Sequence, residues 1–171
     1  DASQRWSALI DEAHNLPSRA RGMYSASLSK VDVLAARATS SVAIVKTLNR
    51  INRIMLGLQN CEWRESDFNS LPELPPTLVD ALKQFVRDCA DAQGADASIL
   101  HQQPDLLGFY FAVLHFLRVA ENWGDDFRLE LTRNSAKQSL RLKLNCLDPA
   151  RLLAKRQASL HSLTAFSATL S

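Results

Sequence analysis

The chain has 171 residues, of which 46% are apolar and 22% are charged, with five glycines and six prolines. This composition is typical of one folded domain and excludes collagen-like, mucin-like and disordered classes. The net charge is only +2, but the charges are segregated along the chain. Residues 19–53 carry seven Lys/Arg and one acidic residue, and residues 128–157 carry eight Lys/Arg and two acidic residues. Residues 62–98, by contrast, carry three Lys/Arg and eight acidic residues. Because two segments are strongly basic, a nucleic-acid partner is compatible with the small net charge. Every apolar run is shorter than the roughly 20 residues of a membrane-spanning helix, so we expect no membrane partner.

Three cysteines, Cys61, Cys89 and Cys146, are spaced 28 and 57 residues apart. That pattern fits neither a disulfide framework nor paired zinc ligands. We therefore expect free thiols and a cytoplasmic location. Because the chain begins at Asp1 rather than Met and ends directly after an apolar run, we interpret it as a piece of a longer parent protein.

The first elements alternate between strand and helix patterns. Residues 5–10 form an apolar run that predicts a buried strand ending at Asp11 and Glu12. A turn at residues 15–18 leads into a short helix, and residues 23–28 predict an edge strand. Ser29 and Asp32 have capping-box spacing and predict one long helix that runs to about residue 60.

The middle of the chain predicts two further helices. Asn69, Ser70 and three prolines up to Pro76 predict a loop. Thr77 with Asp80 predicts the capped start of a helix that ends near residue 94 and buries one face. Pro104 suits the first turn of a helix over about residues 105–123. Its apolar side chains surround the axis, which predicts burial on nearly all sides.

After Gly124 the hydrophobic period changes from 3.6 to 2 residues. Residues 127–132 and 140–145 alternate apolar with polar side chains and predict an antiparallel hairpin. Asp148 and Pro149 begin a helix of about ten residues, and residues 162–169 predict a second buried strand. The predicted fold class is mainly α with a small β-sheet.

Sequences at the two ends resemble a known family. The string Leu9–Leu16, which contains Asp-Glu-Ala-His, and the closing Phe166–Ser171, which contains Ser-Ala-Thr, are similar to motifs II and III of the XPD/DinG family of iron-sulfur superfamily 2 DNA helicases. The resemblance implies a RecA-like P-loop motor domain with an inserted helical arch. It divides the chain into a motor segment at 1–28, an arch-like insertion at 29–124 and a return to the motor domain at 125–171. The middle segment matches the arch by position and helical content alone.

The carboxylates after the first strand predict phosphoryl chemistry. A carboxylate at the tip of a central strand can hold the Mg²⁺ of a nucleotide, and this role falls to Asp11. Glu12 would orient and deprotonate the attacking water. The resemblance adds that His14 couples the nucleotide state to Ser167 and Thr169 and to the DNA track. An acidic helix start with an exposed His14 is the alternative.

Two parts of an ATP-driven motor are missing from this sequence. It contains no G-x-x-x-x-G-K-[ST] motif, so it offers no cradle for the β- and γ-phosphates. The resemblance implies that this loop and a four-cysteine iron-sulfur cluster lie elsewhere in the parent. We therefore expect ATP, Mg²⁺ and the cluster in the parent and none bound to this chain, which should not hydrolyse ATP by itself.

Basic and aromatic side chains are candidates for DNA contact. Lys46, Arg50 and Arg53 are spaced to share one helix face, a pattern that can follow phosphates or can be a plain solvated surface. By the family resemblance, Arg19 and Arg21 lie near DNA or nucleotide. The candidates for base stacking, with core anchoring as the alternative, are Trp63, Phe68 and Phe127; those assigned to packing are Trp6, Phe109, Phe111 and Phe116. The hairpin also has a basic face, carried by Arg128, Arg133, Lys137, Arg141 and Lys143.

The parent is accordingly expected to be a bacterial-type, cytoplasmic, ATP-dependent helicase. The resemblance implies 5′ to 3′ movement on single-stranded DNA in repair. Two alternatives remain open. In the first, the chain is a helical interaction module that binds a repair protein through residues 62–98. In the second, it is an unrelated helical domain with a coincidental Asp-Glu-Ala-His.

Overall fold

A computed structural model describes residues 6–60, 67–134 and 139–167. The helices are α1 (Leu16–Met23), α2 (Lys30–Thr39), α3 (Val42–Gln59), α4 (Pro76–Ala95), α5 (Pro104–Ala120) and α6 (Ala150–Gln157). The strands are β1 (Ser7–Ile10), β2 (Ala26–Ser29), β3 (Phe68–Leu71), β4 (Phe127–Asn134), β5 (Ser139–Cys146) and β6 (Ser162–Ala165). The predicted class, mainly α with small sheets, is confirmed. Among these residues, no helix is long and apolar enough to cross a bilayer.

The strands form two separate sheets. β2, β5, β4 and β3 lie in that order in an antiparallel sheet, whereas β1 pairs with β6 in parallel. The predicted hairpin is confirmed, with Leu129 opposite Leu144 and Leu131 opposite Leu142. All four leucines are fully buried, because side chains alternate between the two faces of a strand.

One hydrophobic core joins the four-stranded sheet to the helices. α2 and α5 pack on the sheet, and α3 and α4 pack against these two helices. Buried side chains continue from Leu142 on β5 to Ile51 on α3 and Phe85 on α4. The hairpin and β2 therefore share their core with the helices of the arch-like segment. The division at residues 28 and 124 stays a prediction.

The prediction of one long helix from Ser29 was wrong in its length. The Ser29 hydroxyl accepts the backbone N–H of Val31 as a cap, but the helix stops at Thr39 and α3 starts afresh at Val42. Ser40 is extended, and its hydroxyl donates to the Ala36 carbonyl at 2.6 Å. A serine hydroxyl that takes a helix carbonyl competes with the backbone, which accounts for the break.

Helix α5 is buried on one side rather than on nearly all sides. Its fully or almost fully buried stripe comprises Leu106, Phe109, Val113, Phe116 and Val119. By contrast, Phe111 is 59% exposed and Leu114 is only half-buried. The apolar residues on the outer side line an open groove against α4, so the assignment of Phe111 to packing was wrong.

Three further predictions need correction. Asn69 and Ser70, expected in a loop, lie in β3, because pairing with β4 supplies the backbone partners that a local pattern cannot show. Helix α4 begins at Pro76 with no side-chain cap from Thr77. β1 and β6 are exposed rather than buried, with Trp6 at 70% and Leu9 at 74%, since no other described element covers this two-stranded sheet.

The one-sided burial of α5 predicts a contrast between two phenylalanines. Phe116→Ala should lower the free energy of unfolding by about 3–5 kcal/mol, because it empties a core position. Phe111→Ala removes the same atoms from an exposed site and should cost no more than about 1 kcal/mol. Urea unfolding of both variants measures the difference. Equal midpoints would contradict the position of Phe116 in the core.

Candidate functional site

The parallel pairing of β1 with β6 brings both carboxyl ends to one edge. Ile10 lies opposite Ala165, and the ladder continues past the strands. The Phe166 N–H donates to the Ile10 carbonyl at 3.0 Å, and the Ala13 N–H donates to the Phe166 carbonyl at 3.1 Å. The segment of residues 11–14, here called the DEAH loop, leads into a short 3-10 helix (Ala13–Asn15). It is thereby fixed beside the end of β6.

Within this edge, His14 contacts both the DEAH loop and β6. Its Nδ1 atom lies 2.7 Å from the Ser167 hydroxyl, across 153 positions of sequence. The same atom lies 3.1 Å from the Glu12 carboxylate. A carboxylate only accepts a hydrogen bond, whereas a hydroxyl both donates and accepts. The Nδ1 atom can therefore accept a hydrogen bond from the Ser167 hydroxyl when it carries no proton, or donate a hydrogen bond to Glu12 when it does.

The backbone of the DEAH loop is strained at Glu12. Its φ of 51° and ψ of 45° are left-handed, and among described non-glycine residues it alone has a positive φ. Such a conformation costs an L-residue about 1–2 kcal/mol. The Asp11 carboxylate accepts the Glu12 N–H at 2.7 Å, and the Asn15 N–H donates to the Glu12 carbonyl at 2.9 Å. Backbone outliers held in this way cluster at functional sites.

The donor set of the DEAH loop fits a partial Mg²⁺ site. Asp11 and Glu12 are exposed carboxylates at a strand end, and Mg²⁺ is commonly held by one or two carboxylates together with substrate phosphates. Among the described residues, no group of three or more acidic, histidine or cysteine side chains is arranged to hold a metal ion. Asp11 can thus supply one ligand, while phosphates and water would have to supply the others.

The two described cysteines offer no nucleophile. Cys89 and Cys146 are buried free thiols, as predicted, whereas Cys61 lies outside the described residues. Burial raises the pKa of Cys89 to about 12, and the adjacent Asp88 carboxylate adds to the effect. Burial, together with nearby aspartates, also raises the pKa of Cys146. Both thiols stay protonated at neutral pH, and only the thiolate is reactive.

The predicted basic strip lines a cleft between α3 and α4. Lys46, Arg50 and Arg53 are exposed and share a hollow of about 610 Å³ with Gln84 and Asp88. The Asp88 carboxylate accepts hydrogen bonds from the amide of Gln84 at 2.7 Å and from the hydroxyl of Thr47. The three cations therefore lie together on one face, and their contact with DNA stays a prediction.

Arg19 and Arg21 lie on different sides of α1. Arg19 lines a cleft of about 1030 Å³ against α5 and α6. Arg21 lines a cleft of about 600 Å³ with Arg141 and Lys143 of β5. Two positions along a helix differ by about 200° in direction, so these arginines cannot serve a single site. The alternation of side chains along β5 is a sequence signal that Arg141 and Lys143 share one face. No sequence signal indicates that α1 brings Arg21 close to them.

The other predicted residues divide into three groups. Thr169, Trp63 and Lys137 lie outside the described residues. Phe127 is fully buried and serves the core, so its alternative as a stacking platform was wrong. Trp6, assigned to packing from the apolar run, is exposed, whereas Phe68 is half exposed on β3.

The chain was compared with family models, curated proteins and solved structures. No family model matches this chain, and no curated protein matches it. The chain is similar to a solved structure named XPD helicase, with 16% identity and a TM-score of 0.44, over 92% of this chain and 26% of the other. It thus spans about a quarter of that protein's length. A likeness at this TM-score does not assign the chain to a family.

Because the backbone of Glu12 is left-handed, we predict that glycine at this position gives a more stable protein than alanine does, the reverse of the order within a helix. Glu12→Gly and Glu12→Ala both delete the side chain, but only alanine keeps the cost of the left-handed conformation. The glycine variant should be more stable by about 0.5–1 kcal/mol in thermal unfolding. At Arg87, an exposed position within α4, the same pair should give the opposite order, because glycine destabilises a helix interior. An alanine variant at position 12 as stable as the glycine variant would contradict the strain.

Proposed function

We propose that this chain is part of an ATP-dependent DNA helicase of the XPD/DinG type, in which the DEAH loop takes part in ATP hydrolysis. The observation that carries the proposal is the contact of His14 with Ser167. His14 of the first motif and Ser167 of the second, 153 residues apart, meet at the ends of two parallel strands. A strained backbone turn at Glu12 lies between β1 and the histidine. Glu12 is the N-cap residue of a short 3-10 helix and His14 is exposed, as in a plain acidic helix start, but a coincidental motif gives no reason for His14 to contact Ser167.

The chain's own residues would divide the work as follows. Asp11, at the tip of β1, would hold Mg²⁺, and Glu12 would orient the attacking water and take its proton. Bound Mg²⁺ would neutralise charge on the phosphates of ATP. The proton that Glu12 takes up would turn its carboxyl from a pure acceptor into a group that can also donate, and so would change its hydrogen bond with Nδ1 of His14. Through its contacts with both Glu12 and Ser167, His14 would link the protonation state of Glu12 to the end of β6.

The remaining parts of the proposal rest on the sequence resemblance. A phosphate-binding loop and a four-cysteine cluster would come from other segments of the parent, since this sequence contains neither. The division into motor, arch and motor segments, the 5′ to 3′ direction, the role in repair and the bacterial-type cytoplasmic location belong to the same proposal. Single-stranded DNA would be the partner of the basic surfaces.

The catalytic role of Glu12 predicts a separation of binding from turnover. In the parent, Glu12→Gln should reduce DNA-stimulated phosphate release by about 10²–10⁴-fold, because it removes the base while keeping the shape of the side chain. Binding of a fluorescent ATP analogue should change little. Glu73→Gln, at an exposed site before α4, is the matched control and should retain full activity. Near wild-type turnover in the Glu12 variant would refute this role.

The basic strip predicts a measurable change in salt dependence. Reversal of Lys46, Arg50 and Arg53 to glutamate should weaken single-strand binding by the parent. Loss of three phosphate contacts should reduce the slope of log affinity against log salt by about 2, at roughly 0.7 per contact. Circular dichroism checks that the variant is folded. An unchanged slope in a folded variant would mean a plain solvated surface and would favour the interaction-module hypothesis.

A further inference from the structure

The outer face of the four-stranded sheet carries a basic cleft that does not include the DEAH loop. Side chains alternate along each strand, so the leucines of β5 point to the core while Arg141 and Lys143 point outward. In the register of the sheet, Lys143 lies opposite Ser27 and Arg141 lies opposite Ser29 on β2. The end of α1 adds Arg21 to the same hollow of about 600 Å³.

We propose that this cleft, formed by α1, β2 and β5, binds the phosphate groups of single-stranded nucleic acid. The inference rests on the proposed function for the identity of the polyanion, whereas the site itself rests on the geometry and charges described next. Phosphate contacts in nucleic-acid complexes come chiefly from Arg and Lys together with Ser and Asn side chains. All four residue types line this cleft.

The residues that line the cleft include three cationic side chains and no carboxylate. Among the described residues, no carboxylate lies within 4 Å of Arg21 or Arg141, and the one partner of Lys143 is Glu130 at 3.8 Å. Glu130 also accepts a hydrogen bond from the Asn145 amide at 2.7 Å. One carboxylate therefore faces three cations. Like charges that share a concave surface raise its positive potential and attract a polyanion.

The walls of the cleft are fastened to each other. The Ser25 hydroxyl donates to the Arg21 carbonyl at 2.7 Å and accepts the backbone N–H of Cys146 at 3.1 Å. This one side chain joins the last turn of α1 to the end of β5. The cation on α1 and the two on β5 are therefore mounted on a fixed frame, which reduces the ordering cost of binding.

A strand of nucleic acid suits the layout better than a single anion. Arg141 and Lys143 are two residues apart on one strand face, about 6.6 Å along the strand, and Arg21 extends the row past Asn145. The cleft is open to solvent along this row, since Arg21 and Arg141 are exposed and Lys143 is partly exposed. A backbone with repeated phosphates can engage several of them together, whereas an isolated phosphate cannot.

The test is the salt dependence of single-strand binding by the 171-residue chain. Fluorescence anisotropy with a labelled oligothymidylate should show that Arg21→Gln/Arg141→Gln reduces the slope of log affinity against log salt by about 1.4, at roughly 0.7 per contact. Arg21→Lys/Arg141→Lys keeps the charges and should retain most of the slope. Both residues are exposed, so the variants should unfold at the wild-type midpoint.

A matched control removes two charges elsewhere. Lys83→Gln/Arg118→Gln alters the groove between α4 and α5 and should leave the slope unchanged. Equal losses in both double variants would mean that only net charge matters and would overturn the site. An unchanged slope in the Arg21/Arg141 variant would overturn it as well, and so would a wild-type chain that binds no oligonucleotide. None of these outcomes touches the role of Glu12, which the ATPase measurement in the parent decides separately.

Discussion

The parallel pairing of β1 with β6 is the constraint on which the candidate site depends. It joins two segments more than 150 residues apart and fixes their register, so the DEAH loop meets Ser167 rather than any other residue. A slip of one residue would shift β6 along β1 by about 3.3 Å, which would carry Ser167 out of hydrogen-bond distance of His14. The contact is therefore specified by backbone hydrogen bonds before any side chain takes part.

This pairing is supported by its neighbours more than by its own burial. A two-stranded sheet with open faces is marginal by itself, so the tethers of its strands to the core matter. On one side α1 is fastened to β5 through Ser25. On the other, Arg151 of α6 makes two hydrogen bonds to Asp126, at 2.9 and 3.1 Å, and a third to the Asn122 carbonyl at 2.8 Å. The hydrogen bond to Asp126 also raises the pKa of Arg151. Because Leu152 of α6 is buried in the hydrophobic core, α6 is held by both polar and apolar contacts.

Local periodicity predicted the elements whose burial follows from their own sequence. The hairpin alternates strictly, and the face of α4 that contains Leu78, Leu82 and Phe85 repeats at helical spacing, so both were predicted correctly. The helix break at Ser40 was missed because it depends on a competing hydroxyl. The exposure of β1 and β6 was missed because an apolar run indicates a preference for burial, but whether a strand is covered depends on elements far away in sequence.

The candidate site shows the same limit. The motif predicted Asp11, Glu12 and His14, and the family resemblance predicted the partnership with Ser167, but neither could indicate a left-handed Glu12 or the separation of Arg19 from Arg21. Those features arise from the turn and from the docking of α1, which are properties of the folded chain. Here α1 takes on a further meaning, because it begins shortly after the DEAH loop and its last turn carries Arg21, which lines the basic cleft. Its eight residues span about 12 Å, and its far end is fastened to β5. The DEAH loop and the basic cleft are thus joined along the chain by this one short helix.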